Sequence, residues 1–223
     1  MEKKRPTNLL PEWLTTLPFV LAACATAPSK NDSATPLSTE YAPLNPGANW
    51  TYEVKFLGQE GQMKVTQVEE DADGFVLDDR NGSWKHTAAG LRDKQRFLLM
   101  HPLAPGHTWS ARVGPTVKET FVIESVGESC TVPAGTFANC LVVKSSIAEP
   151  KVTLHVRWIW AKGIGLAAFE TSIEQTGGAI VPQTTQRLIH YALKGPIPKS
   201  RPLPPPPPEA APEPEPPENW ESE

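Results

Sequence analysis

The chain has 223 residues, 25 of them proline, with 21 basic against 25 acidic side chains and a net charge of −4. Beyond its first five residues it has no basic block, which excludes the positive stripe that nucleic-acid binding calls for. Once 23 leading residues are set aside 200 remain, and residues 47–196 carry enough apolar sequence for one domain with a sizeable core.

The N-terminus has the three parts of an export signal. Lys3, Lys4 and Arg5 precede an apolar segment, WLTTLPFVLAA (13–23), which ends in the small residues Ala22 and Ala23 before Cys24. The segment is too short to span a bilayer, which takes about twenty apolar residues, so it reads as a cleaved signal. Leu21-Ala22-Ala23-Cys24 resembles the lipobox of bacterial lipoproteins. The resemblance implies that Cys24 is the first residue of the mature protein and carries a diacylglyceryl group and an acylated amine. Several acyl chains anchor stably where one does not. Ala25, in place of aspartate, leans toward the outer rather than the inner membrane.

Residues 24–46 are rich in Ala, Ser, Thr and Pro and read as a flexible linker. From Trp50 the pattern changes to a period of two. In WTYEVKF, Trp50, Tyr52, Val54 and Phe56 share one face; in VTLHVRWIW, Val152, Leu154, Val156, Trp158 and Trp160 do the same. Nine further strands are predicted at 62–69, 74–79, 83–87, 94–100, 108–113, 117–126, 140–148, 166–174 and 184–193, punctuated by glycines. No helical stripe of ten residues or more interrupts them. The expected fold is all-β: a single strongly curved antiparallel sheet, half-barrel or barrel-like, of about nine to eleven strands.

PLNPGANW (43–50) returns as PLAPGHTW (102–109), 59 residues later. Each copy is a turn that delivers a tryptophan into a strand, with Gly47 and Gly106 supplying the turn geometry. Two meander-like halves are one explanation; chance reuse of a good turn is the other. Further on, Cys130 and Cys140 enclose SCTVPAGTFANC, which reads as a hairpin tip closed at Gly135. The two thiols can bridge if adjacent strands set them face to face; otherwise they are free. Gly163 and Gly165 lack the strand-to-helix context of a phosphate loop and read as a bend between strands.

The tail 197–223 has five consecutive prolines, Pro204 to Pro208, followed by six glutamates, and is expected to be a disordered polyproline-II spacer. Lys199 and Arg201, ahead of the proline run, could touch anionic surface polymer, and Trp220 keeps a docking role for the tail open.

Three segments in order, PLNPGANWTYEV, TVPAGTFANCLVV and WAKGIGLAAFE, resemble a group of uncharacterised bacterial secreted lipoproteins. The resemblance implies a curved sheet similar to lipoprotein-carrier half-barrels or lipocalin-like barrels, and no activity.

Chemistry-bearing patterns are sparse. His86, His101, His107, His155 and His190 form no close ligand pair, and Glu69-Glu70-Asp71 with Asp73 lacks a calcium-loop pattern and reads as a solvated turn. No metal, cofactor or catalytic residue is expected. The tryptophans are the informative feature. They either complete a packed core or, with Trp50, Tyr52, Phe56, Phe97, Leu99, Trp158 and Trp160, line a groove for an apolar ligand or a partner's side chains. The expected protein is a lipid-anchored envelope protein, non-catalytic, that binds or scaffolds and meets the membrane through Cys24. The alternatives are a carrier for a lipid-like molecule and a hydrolase of cell-wall or surface polymer.

Overall fold

The computed structural model describes residues 36–195. The signal segment, Cys24, Ala25 and the Pro/Glu-rich tail lie outside the described residues.

A one-turn helix α1 (Ser38–Tyr41) precedes twelve strands: β1 (Asn49–Phe56), β2 (Gln59–Glu70), β3 (Val76–Asp78), β4 (Ser83–Thr87), β5 (Gly90–Arg92), β6 (Phe97–Met100), β7 (Thr108–Arg112), β8 (Lys118–Val132), β9 (Gly135–Ala148), β10 (Val152–Ala161), β11 (Gly165–Gln175) and β12 (Ile180–Ala192). They form one sheet in the order β6-β5-β4-β3-β2-β1-β12-β11-β10-β9-β8-β7. Pairing is antiparallel throughout, and β1 joins β12, so the first and last strands meet in the middle of the sheet. The two edges, β6 and β7, are consecutive in sequence. The curl of the sheet brings them together into a nearly closed barrel, and side chains bridge the seam: Trp109 Nε1 on β7 donates to Phe97 O on β6 at 3.0 Å. Closing a sheet on itself covers its open edges.

The expected fold class holds, with one strand more than expected. Gly90–Arg92 is too short to show a period, yet its backbone pairs with β4 and β6 and Leu91 is fully buried. The β8–β9 hairpin also runs further than its apolar pattern does. Register shifts at Ile123/Ser125, Val126/Glu128 and Glu128/Cys130 absorb the irregular residues while the ladder continues to Val132↔Gly135.

The repeated octapeptide has one hydrogen-bond plan in both copies. Gly47 N donates to Gln67 O, and Gln67 N donates to Ala48 O; Gly106 N donates to Ile123 O, and Ile123 N donates to His107 O. Each copy thus locks the start of a strand, β1 or β7, to the strand that follows it. Both glycines sit in the left-handed region, at φ 91° and 83°. Gly135, Gly163 and Gly165 occupy hairpin turns, also at positive φ.

The linker expectation needs a correction at its C-terminal part. Tyr41 is 1% exposed and belongs to the main core, with Leu44 packed against it. Burial of these two side chains offsets the ordering of a segment that its Ala/Ser/Thr/Pro composition alone would leave unfolded. The segment lies across one end of the barrel. Ser38 N donates to His101 Nε2 at 3.1 Å, Ser38 Oγ meets His86 Nδ1 at 3.2 Å, and His86 Nε2 meets Ala42 O at 2.8 Å. On the opposite wall, Gly163 N donates to Glu40 O, and Lys162 pairs with Glu40 at 2.8 Å.

Cys130 and Cys140 are joined in a disulfide across the β8–β9 hairpin, with Cα atoms 5.9 Å apart.

Candidate functional site

The inward faces of β1, β2, β4 and β10–β12 enclose a chamber of about 310 Å³. The segment that follows α1 forms its closed end through Ala42, Pro43 and Leu44. Toward the opposite end a wider vestibule of about 590 Å³ shares Gly82, Trp84, Trp158 and Phe169 with it, and its rim includes the exposed Asn81, Lys94 and Gln95. The interior is therefore a pocket closed at one end and open at the other.

Each wall residue is held by a specific contact. Trp50 reaches the chamber because the 43–48 turn sets its parity on β1. Its Nε1 donates to Ile164 O at 2.8 Å, and Tyr52 Oη donates to Leu166 O at 3.0 Å. Both bonds hold the β10–β11 turn against β1. Gly165 is required there: its φ is +117°, and a Cβ would stand 3.1 Å from Trp50 Nε1. Trp84 Nε1 donates to Asp78 Oδ2 at 3.1 Å, while Asp78 Oδ1 accepts from Arg80 N and Gly82 N. The rings of Trp84 and Trp160 meet edge to face, centroids 6.0 Å apart. Trp158 stands between Phe121 at 5.8 Å and Phe169 at 5.9 Å, and Phe121 stacks in turn on Trp109 at 5.1 Å.

Most polar groups around the chamber are thus engaged by the scaffold. Gln67 is another case: its Oε1 accepts from Asn45 N and its Nε2 donates to Pro43 O. The Tyr52 phenol is pushed up by burial first and by Asp78 second, so it stays neutral. What remains to face a guest is aromatic and aliphatic surface, with the buried, unpartnered Trp160 Nε1 and the Arg80 and Gln186 side chains. Such a lining favours an apolar molecule by removing its surface from water.

Of the seven groove residues read from sequence, the chamber gathers Trp50, Tyr52, Trp158 and Trp160. Leu99 is fully buried in the main core and Phe97 packs against it. Phe56 is 54% exposed at the end of β1. The alternation missed Met63, Val65, Trp84, Leu166 and Phe169 as wall residues. Met63 and Val65 carry the signal, a period of two on β2; Trp84 and Phe169 are placed only by the closure of the barrel. His155 lies on β10 beside Glu174, at 2.7 Å, and His190 is exposed. Among the described residues no group of three or more His, Cys, Asp or Glu side chains converges as a metal site. Asp71, in the acidic run, caps its own turn by accepting from Asp73 N and Phe75 N.

No protein-family model matches the chain, and no curated protein matches it. Two solved structures resemble it. One is a candidate lipoprotein from Parabacteroides distasonis, at 12% identity and a TM-score of 0.36; the alignment covers 68% of this chain and 98% of that one. The other is a candidate exported protein with YmcC-like fold from Bacteroides fragilis, at 12% identity and a TM-score of 0.39, with the same coverage. Similarity at this level carries no argument about what this chain does.

Proposed function

We propose that the protein is a non-catalytic, lipid-anchored protein of the bacterial cell envelope, whose barrel binds an apolar ligand. The observation that carries the ligand reading is the chamber itself: four tryptophans, Trp50, Trp84, Trp158 and Trp160, wall a space closed by the segment after α1 and open at the far end. The envelope reading rests on Leu21-Ala22-Ala23-Cys24 and on the Cys130–Cys140 disulfide, a bond that persists in oxidising compartments. The ligand reading favours the carrier alternative over a purely scaffolding role, because a scaffold has no use for an interior cavity.

Titration of the chain from Ala25 onward with N-phenylnaphthylamine, an uncharged probe that brightens in apolar surroundings, tests the chamber. Saturable brightening is expected, with loss in Val65→Trp, which fills the chamber from β2, while circular dichroism keeps the β signature. Absence of saturable brightening in the unmodified chain overturns the ligand reading. Intact mass of the protein from its host membranes tests the anchor: added acyl mass on a chain beginning at Cys24 is expected, and a chain beginning at Met1 without it overturns the assignment.

A further inference from the structure

We propose that the open end of the barrel seats on a lipid bilayer through the tips of its β1–β2 and β11–β12 hairpins. Among the described residues five large apolar side chains are exposed: Leu37, Phe56, Leu57, Ile180 and Val181. Four of the five stand on these two hairpins. The hairpins are neighbours, since β1 pairs with β12 and Leu57 N donates to Gln183 O at 3.0 Å. Both turn at the end of the barrel opposite α1.

The patch continues the lining of the interior. Phe56 is the next inward position after Trp50, Tyr52 and Val54 on β1. Val181 stands opposite Ile173, and Ile173 opposite Leu154, which lines the vestibule. The apolar surface therefore runs from the chamber out over one lip of its mouth.

Leu57 is placed there against its own backbone preference. Its φ is +48° and that of Gly58 is +83°, a two-residue turn in which asparagine before glycine is the favoured choice. At 62% exposure no packing compensates for a leucine in this position. A residue that is both strained and solvent-exposed points to a use outside the fold.

The shape of the patch selects the occupant. Phe56, Leu57, Ile180 and Val181 line neither the chamber nor the vestibule, and side chains exposed at two adjacent hairpin tips can enter a deformable apolar phase. Beside the β1–β2 tip Lys55 and Glu60 pair with each other at 2.5 Å, and opposite Ile180 Glu174 meets His155 at 2.7 Å, so these flanking carboxylates are engaged within the fold. A bilayer is also the phase in which an apolar guest resides, and seating the mouth there lets the guest reach the chamber without crossing water. Fourteen peptide steps separate Cys24 from Ser38, a reach of at most about 50 Å. The eight residues of β1 rise only about 27 Å. A domain anchored at Cys24 can thus turn its far end onto the same membrane. The supply route rests on the ligand reading above; the seating itself does not.

The test is flotation of the chain from Ala25 onward, which lacks signal and lipid, with phosphatidylcholine vesicles. The unmodified chain is expected to float with the vesicles, and to remain with them at high salt because the contact is made by apolar side chains. Leu57→Asn with Ile180→Ser is expected to lower partitioning at least tenfold. Asparagine suits the left-handed turn, so this variant keeps the fold, and its brightening of N-phenylnaphthylamine should be unchanged. Leu37→Ser, at the opposite end, should float like the parent. Failure of the parent to float, or an equal loss in Leu37→Ser, overturns the seating. Flotation without probe brightening removes the ligand reading and leaves the seating in place.

Discussion

The indole of Trp109 donates a 3.0 Å hydrogen bond to the carbonyl of Phe97, from one edge strand of the sheet to the other. The backbone ladder does not cross this seam. Trp109→Phe would keep a ring against Phe121 but lose the donor together with part of the buried indole. A loss of about 2 kcal/mol in urea unfolding is expected, with faster amide exchange concentrated in β6 and β7. Unchanged exchange there would show that the seam is held by packing alone.

Beside the same seam, Glu119 is 0% exposed and holds an ion pair with Arg96 and a hydrogen bond from Ser145 Oγ. Removing one partner strands a buried charge. Arg96→Leu should cost about 3 kcal/mol, and adding Glu119→Leu should recover most of that. Equal stability of the single variant and the parent would mean that water already reaches Glu119.

The disulfide closes a loop of sequence separation 10. Replacing Cys130 and Cys140 together by serine should lower stability by about 2–3 kcal/mol, chiefly by freeing the unfolded chain. The check is urea unfolding of the double variant beside the oxidised parent. The barrel is expected to persist, because only the hairpin tip depends on the bond.

Acid should weaken the closed end of the chamber. Burial, the largest influence, holds His86 below its ordinary value of 6.5, and the nearby His101 acts in the same direction, against the Ala42 carbonyl. The unfolded chain therefore takes up this proton more readily than the native one. The stabilisation is present above the ordinary histidine range and is lost as pH falls through it toward the lowered native value. Thermal unfolding should show a lower midpoint at pH 5.5 than at pH 7.5, with a smaller difference in His86→Gln. An identical difference in both chains would remove His86 as the cause.

Much of this could be read along the chain. Side-chain direction in a strand is a local property, so WTYEVKF and VTLHVRWIW place Trp50, Tyr52, Trp158 and Trp160 on one face without any knowledge of partners. All four line the chamber. Phe97 and Leu99 show where that reasoning stops. They lie on the edge strand β6, and their surroundings depend on what the curled sheet brings opposite them, which is Trp109 and the main core. Tyr41 shows the same limit from the other side. One tyrosine in a Pro/Ser/Thr-rich stretch has no periodic neighbour to mark it, yet the barrel end that its segment covers gives it a site with 1% exposure.

The sequence by itself determined the all-antiparallel class, the repeated turn before Trp50 and Trp109, and the hairpin that carries Cys130 and Cys140, because alternation and turn chemistry act over a few residues. Tertiary structure alone decided that twelve strands curl until their edges meet, that the α1 segment covers one end, and that Trp84 and Phe169 join Trp158 and Trp160 around a pocket open at the other. Curvature accumulates over the whole sheet, and what faces what across a barrel is set by that sum rather than by any single strand.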